Sequence, residues 1–217
     1  MERVMTGGGL GKVEPRGTGG ECGKEWGMAK VLTGIRGVVW DWGDTLMRDI
    51  PGMTGPMADW PRVEAMPGAL EALNALNHIP VQALATNAED SDGEAVTEAL
   101  ARVGLREHLT HLFTSREMGV GKPDPAFFRE VASRLGIPCE DLLSIGNDYR
   151  KDIRPAEGLG MATVWIGTQE VAHPQSLEVE GGGICELPIQ VDPDPRHRVV
   201  ESLQELARIV PSWMGGE

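Results

Sequence analysis

Short apolar segments alternate with helix-length amphipathic segments along most of this chain, and this alternation limits the fold more than any other feature. Parallel strands need long crossover connections, usually helices, so the pattern predicts a parallel sheet with helices on both faces. The predicted strands are five: 38–40, 81–85, 109–113, 142–145 and 162–166. The predicted helices are 67–76, 91–103, 124–135, a short one reaching Glu157, and an amphipathic one over 199–210. The fold class predicted is therefore α/β.

The 217 residues suffice for one domain with its own core, which we place at 28–217. Residues 1–27 are glycine-rich and polar without an apolar stretch, which predicts a disordered leader rather than a signal peptide. Met28 is an alternative initiator, and whether the native protein carries the leader stays open. Two further segments read as irregular: a loop over 47–66 that is rich in Pro, Gly and Met, and the segment 168–196.

The formal net charge of −13 argues against nucleic acid as a ligand, because binding phosphates needs clustered Lys and Arg. The three cysteines, Cys22, Cys139 and Cys185, lie far apart, which favours a reducing cytoplasmic location over disulfides or a zinc site. No run of about 18 apolar residues occurs, so no membrane span is expected.

Polar clusters follow the predicted strands at or near their ends. They are Asp41–Thr45, Thr86-Asn87, Lys122–Pro125 and Gly146–Asp152. The carboxyl ends of parallel strands share one edge of a sheet, so these residues are expected to converge there. A carboxylate nucleophile, a hydroxyl, a lysine and further acids are what phosphoryl transfer with a divalent cation requires. Taken singly, each cluster is also ordinary turn or cap chemistry.

The order of the clusters resembles the haloacid dehalogenase-like (HAD) hydrolase superfamily: Asp41-x-x-x-Thr45, then Thr86-Asn87, then the lysine loop, then Gly146-Asn147-Asp148-x-x-x-Asp152. The resemblance covers residues 34–167 and implies a Rossmann-like domain. It further implies that Asp41 is a nucleophile that becomes phosphorylated, and that Thr86, Asn87 and Lys122 hold the phosphoryl group. The implied Mg²⁺ ligands are Asp41, the carbonyl of Gly43, and acids of the last cluster.

Two positions depart from the family pattern. The usual second aspartate, the general acid and base, stands two residues after the nucleophile, where this chain has Gly43 followed by Asp44. Whether Asp44 supplies the proton instead is open; loss of such a group typically costs about 10²- to 10⁴-fold in rate. In the last cluster, either Asn147 or Asp148 joins Asp152 as a metal ligand, and that choice is also open.

Neither interval between the clusters is long enough for a full cap domain, although 47–66 could form a small lid. The leading hypothesis is a Mg²⁺-dependent phosphomonoester hydrolase that acts through an aspartyl-phosphate intermediate. Its substrate would be a small-molecule or macromolecular phosphoester. The alternative is a catalytically weakened phosphate-binding or regulatory protein of the same fold. A response-regulator-type phosphorylated aspartate is a third, remote reading, and the sequence leaves the oligomeric state open.

Overall fold

The computed structural model describes residues 32–88, 90–167 and 196–215, together with two short strands that lie between residues 167 and 196. The predicted leader 1–27 and most of 168–196 lie outside the described residues. The strands are β1 (Gly37–Trp40), β2 (Val81–Thr86), β3 (His111–Thr114), β4 (Leu142–Gly146), β5 (Ala162–Ile166), β6 (Glu178–Val179), β7 (Gly183–Ile184) and β8 (His197–Val200).

The α-helices of the described chain are α1 (Ala69–Ala75), α2 (Gly93–Arg102), α3 (Ser115–Met118), α4 (Pro125–Leu135), α5 (Arg154–Glu157) and α6 (Leu203–Trp213). Short 3₁₀ turns lie at Met57–Asp59, Arg106–His108 and Cys139–Asp141, and a π-helical turn, Tyr149–Ile153, leads directly into α5. No helix of the described residues is both long and apolar enough to cross a bilayer.

The main sheet is parallel, with strand order β3-β2-β1-β4-β5-β8. Its central strand, β1, alternates its side chains between two cores. Val38 and Trp40 pack on the face covered by α1, α2 and α6, whereas Val39 packs on the face covered by α4 and α5. Helices therefore lie on both faces, which confirms the predicted α/β class.

The main sheet has six strands where five were predicted, and the predicted helix 199–210 began too early. His197–Val200 is a strand that pairs with β5, and α6 runs from Leu203 to Trp213. Ser202 separates the two, because its side chain accepts a hydrogen bond from Glu205 N and caps α6. Similarly, α2 is capped by Asp92 rather than by Ser91, which is buried.

The order in which strands are added to the sheet reverses at β1. Its neighbours are β2 on one side and β4 on the other. Ligands in open α/β sheets bind outside the carboxyl ends of strands at such a reversal. Asp41 stands at this point, and its N–H continues the β1–β4 pairing by donating to Ile145 O at 2.9 Å. The fold therefore presents Asp41 at the edge where a ligand is expected.

Candidate active site

One cleft of about 450 Å³ lies at the carboxyl edge of β1, β2 and β4. Its walls come from three of the four sequence clusters: Asp41 to Asp44, Thr86 to Ala88, and Asn147 to Asp152. Lys122 is buried beneath it and reaches Asp41. The predicted convergence therefore includes residues more than a hundred positions apart in the sequence.

Lys122 bridges two carboxylates. Its Nζ lies 2.5 Å from Oδ1 of Asp41 and 2.6 Å from Oδ1 of Asp152. The side chains of Lys122 and Asp152 are each 3% exposed and that of Asp41 13%, so little water screens the three charges. An ammonium group held between two acids fixes both carboxylates at one place.

The charges of this triad are unequal, since two acids share one cation. Burial acts to lower the pKa of Lys122, but the carboxylates of Asp41 and Asp152 outweigh it and raise that pKa above its ordinary value. Burial and the charge of Asp41 raise the pKa of Asp152 to about 6, against the opposing effect of Lys122. With both acids ionised, this triad carries one more negative charge than Lys122 neutralises, which favours binding of a further cation.

Thr45 orients the Asp41 carboxylate from the other side. Its Oγ1 donates to Oδ2 of Asp41 at 2.9 Å and lies 3.3 Å from Oδ1 of Asn147. Thr45 is fully buried. With Lys122 on one oxygen and Thr45 on the other, the Asp41 carboxylate is held in a single orientation.

Asn87 holds the backbone of Lys122 through both of its amide atoms. Asn87 Nδ2 donates to Lys122 O at 2.6 Å, and Lys122 N donates to Asn87 Oδ1 at 2.8 Å. The prediction that Asn87 binds substrate phosphate stays a prediction, and the observed contacts give it a positioning role. Thr86, in contrast, accepts a hydrogen bond from Ala88 N, so its hydroxyl proton can point into the cleft.

The last cluster divides its acids between two tasks. Asp152 is buried and faces Lys122, and its Oδ2 accepts from Asp148 N at 3.1 Å. The Asp148 carboxylate caps the π-helical turn, accepting from the N–H groups of Arg150 and Lys151. Trp165 Nε1 fixes the backbone of Asn147 by donating to its carbonyl at 2.9 Å.

These donors suit Mg²⁺, which prefers oxygen ligands, keeps several waters and needs only one or two protein carboxylates. Asp41 and Asp152 provide two carboxylates with an uncompensated charge, and Gly43 and Asn147 line the same cleft. In the described part of the chain no three His, Cys, Asp or Glu side chains form a metal cluster. The donor set therefore fits a cation held partly by water and by carbonyl or amide oxygens.

Gly146 leaves the space that Asp152 fills. A methyl group at position 146 would lie 2.5 Å from both Cβ and Cγ of Asp152. We expect Gly146→Ala to displace Asp152 and to lower the free energy of unfolding by about 1–3 kcal/mol, the usual cost of overpacking. Urea titration of the purified variant measures this.

Gly158→Ala is the matched control for that prediction. At Gly158 an added methyl meets only backbone oxygens at 3.6 Å, an ordinary contact, and the residue has helical torsions. Its unfolding free energy should stay the same or rise slightly, because alanine favours helix over glycine. Equal losses in the two variants would contradict the packing argument.

The turn after Asp41 contains an acid that the sequence reading missed, Asp49. Asp44 has a left-handed backbone, with φ of 51°, and its Oδ1 accepts from Asp49 N at 3.0 Å. This brings the Asp49 carboxyl over Gly43 and into the cleft wall. Burial, then the charges of Asp44 and Asp41, raise the pKa of Asp49, while Lys151 lowers it. No motif marks Asp49, since its place depends on how the turn folds.

The loop 47–66 forms one wall of the cleft through Gly55, Met57 and Trp60. Trp60 is buried, and its Nε1 donates to Thr54 O and Gly55 O, both at 3.2 Å. Arg102 of α2 secures the loop from outside, with Nη1 donating to Ala58 O at 2.7 Å and to Trp60 O at 2.8 Å. The loop is thus fixed to the domain, and its use as a lid stays a prediction.

Two family models match the chain. The haloacid dehalogenase-like hydrolase model matches residues 55–160, and the HAD-hydrolase-like model matches residues 119–206. The two matches include Lys122, Asp148 and Asp152. Residues 41–45 lie outside both matches.

A glyceraldehyde 3-phosphate phosphatase of Methanocaldococcus jannaschii is 41% identical over 69 residues, which are 32% of this chain and 30% of that protein. The similarity thus spans under a third of the length of that relative.

Two solved structures share the fold. A protein of Listeria monocytogenes serotype 4b has a TM-score of 0.63 and 23% identity, covering 81% of this chain and 97% of that one. The HAD-hydrolase YfnB of Bacillus subtilis, solved bound to magnesium, has a TM-score of 0.55 and 17% identity, covering 81% and 98%. At these identities the likeness establishes a common fold and nothing finer.

Proposed function

Because the chain belongs to the haloacid dehalogenase-like hydrolase superfamily, we propose that it is a Mg²⁺-dependent phosphomonoester hydrolase acting through an aspartyl-phosphate on Asp41. The observation that carries the proposal is the bridge from Lys122 to Asp41 and Asp152 at the base of one cleft. A carboxylate nucleophile beside a buried cation is the arrangement that phosphoryl transfer to a carboxylate needs.

Each residue of the site has a defined task in this reaction. The Asp41 carboxylate attacks phosphorus, and Thr45 and Lys122 hold it in the attacking orientation. Lys122 and the hydroxyl of Thr86 stabilise the charge on the phosphoryl oxygens. Asn87 keeps Lys122 in place through the two backbone contacts described above. Asp44 holds the turn that shapes the opposite wall.

Mg²⁺ would be held by Asp41, Asp152 and the carbonyl of Gly43, with Asn147 or Asp148 completing the set. Asn147 is the better placed of the last two, because the Asp148 carboxylate already caps the π-helical turn. The ion supplies Lewis-acid polarisation of the phosphoryl oxygens when bound. YfnB, a protein of the same fold, was solved bound to magnesium, which supports the choice of Mg²⁺ as the ion.

The proposed substrates are phosphorylated small molecules. The phosphatase relative supports this class, although its similarity covers too little of that protein to transfer a particular substrate. The cleft wall combines the apolar side chains of Met57 and Trp60 with Asp90 and Ser91, which suits a partly apolar organic group. The acidic chain disfavours nucleic acid ligands, and macromolecular phosphoesters are the second proposed class.

The test is phosphate release from a panel of sugar phosphates, phosphorylated amino acids and nucleoside monophosphates. We expect Mg²⁺-dependent release of inorganic phosphate from at least one of them and none with excess chelator. Binding of the esters without release would instead favour the alternative of a phosphate-binding or regulatory protein.

Magnesium should stabilise the folded protein in a pH-dependent way. A protonated Asp152 cannot ligate the ion, and the pKa of this acid is raised to about 6. The increase in melting temperature caused by Mg²⁺ should therefore be large above that pH and fade below it. Asp152→Asn is expected to abolish most of the increase at all pH values. An equal Mg²⁺ effect in the variant would remove Asp152 from the ligand set.

A further inference from the structure

The family resemblance implies a proton donor two residues after Asp41, where this chain has Gly43 and therefore no side chain. The space beside its Cα is nonetheless occupied. A Cβ built on Gly43 would lie 2.8 Å from Oδ2 of Asp49 and 3.3 and 3.4 Å from its Cγ and Oδ1. The carboxyl of Asp49 thus stands where a side chain at position 43 would begin.

The turn between these residues fixes that placement. Met47 N donates to Trp42 O at 2.9 Å, and Asp44 N donates to Met47 O at 2.7 Å, which folds the chain back on itself. Asp44 Oδ1 then accepts from Asp49 N at 3.0 Å. Both Asp44 and Asp49 line the same cleft as Asp41, but Oδ1 of Asp44 is engaged with the backbone of the turn.

We propose that Asp49 is the general acid and base of this site, taking the place of the side chain that Gly43 lacks. This inference rests on the proposed phosphatase function and deepens it. It makes Asp44 a positioning residue, because Asp44 holds the backbone of Asp49. It also removes the main argument for a weakened site, which was the missing acid at position 43.

The proposed proton transfers balance over two steps. In the first, an Asp41 oxygen bonds to phosphorus, the bond from phosphorus to the ester oxygen breaks, and the Asp49 carboxyl gives its proton to the leaving alcohol. In the second, the Asp49 carboxylate takes a proton from water while that oxygen bonds to phosphorus. The bond between phosphorus and Asp41 breaks, releasing inorganic phosphate and restoring both acids.

The experiment compares Asp49→Asn with the full-length wild type on two kinds of ester. An alkyl phosphate such as glycerol phosphate has a poor leaving group and needs a proton donor, whereas 4-nitrophenyl phosphate does not. We expect kcat/KM to fall by about 10²- to 10⁴-fold on the alkyl ester, the usual value of general acid catalysis, and far less on the aryl ester. With the aryl ester, slow hydrolysis of the phosphorylated Asp41 should appear as a burst of nitrophenol.

Three further variants sharpen the test. Asp59→Asn changes an acid of the same loop outside the cleft lining and serves as the control. Asp44→Asn keeps an acceptor oxygen for the N–H of Asp49, and asparagine tolerates the left-handed backbone. Its kcat/KM should therefore fall only about fivefold, the effect of exchanging one hydrogen bond for a weaker one. Gly43→Asp combined with Asp49→Ala should recover alkyl phosphatase activity, because the first change supplies an acid and the second frees its space.

The outcomes separate the inference from the function it rests on. If the wild type releases phosphate and Asp49→Asn loses activity equally on both esters, or not at all, the inference is overturned and the phosphatase function stands. A far larger loss in Asp44→Asn than in Asp49→Asn also overturns it, by assigning the proton to Asp44. If the wild type cleaves neither ester nor any member of the panel, the proposed function fails and the inference fails with it.

Discussion

Replacing Asp41 by asparagine is expected to reduce phosphate release by at least about 10⁴-fold, since loss of a covalent nucleophile removes the reaction path itself. The amide is a poor nucleophile of nearly the same shape. It keeps one oxygen that can accept from Lys122 or Thr45. Steady-state assays on the best substrate of the panel measure the change.

Folding of Asp41→Asn provides the control. The substitution removes one of two acids that share a single cation, and the charge of Asp41 contributes to the raised pKa of Asp152. The free energy of unfolding should therefore stay within about 1 kcal/mol of the wild type. Activity close to that of the wild type in a folded Asp41→Asn variant would exclude the aspartyl-phosphate mechanism.

Replacing Lys122 by methionine should cost stability as well as activity. Lys122 is the cation between two largely buried carboxylates, so its loss leaves Asp41 and Asp152 facing one another uncompensated. Removing one partner of a buried charge network typically costs about 3–5 kcal/mol. Urea unfolding at neutral pH should show a loss of that order.

The loss in Lys122→Met should depend on pH. Lys122 lowers the pKa of Asp152, so without it the folded-state pKa of that acid rises further above its unfolded value. A carboxyl with a raised folded-state pKa makes the folded state bind more protons, so stability falls as pH rises through that pKa. The deficit relative to the wild type should thus be larger at about pH 8 than at about pH 5.

A double variant checks the origin of that loss. Lys122→Met combined with Asp152→Asn removes one carboxylate together with the cation, so it should lose less stability than Lys122→Met alone. Losses that simply add would show that the charges of Lys122 and Asp152 are not coupled in the folded state. The account would then be wrong about the charges.

The sequence was most informative where a strand ends in a polar cluster. The apolar run before Asp41 predicted β1, and the shared edge of a parallel sheet predicted that Asp41, Lys122 and Asp152 would meet. Periodicity gave the wrong element at residues 199–200, because these two valines precede an amphipathic helix and fit its pattern. Pairing with β5, a tertiary contact, decided the strand.

The contents of the site were harder to predict than its place. The double contact of Asn87 with Lys122 joins residues 35 positions apart, and a Thr-Asn pair does not specify where the amide points. The position of Asp49 depends on the left-handed backbone at Asp44 and on the absence of a side chain at Gly43. These are consequences of three-dimensional packing that no residue spacing encodes.

The most direct test of the central claim is detection of the phosphoryl group on Asp41. The wild-type chain is mixed with Mg²⁺ and 4-nitrophenyl phosphate, quenched in acid during turnover, digested and analysed by mass spectrometry. The account predicts a phosphoryl adduct on the peptide that contains Asp41 and its absence in Asp41→Asn. Rapid turnover with no adduct on that peptide, or an adduct on another residue, would contradict it.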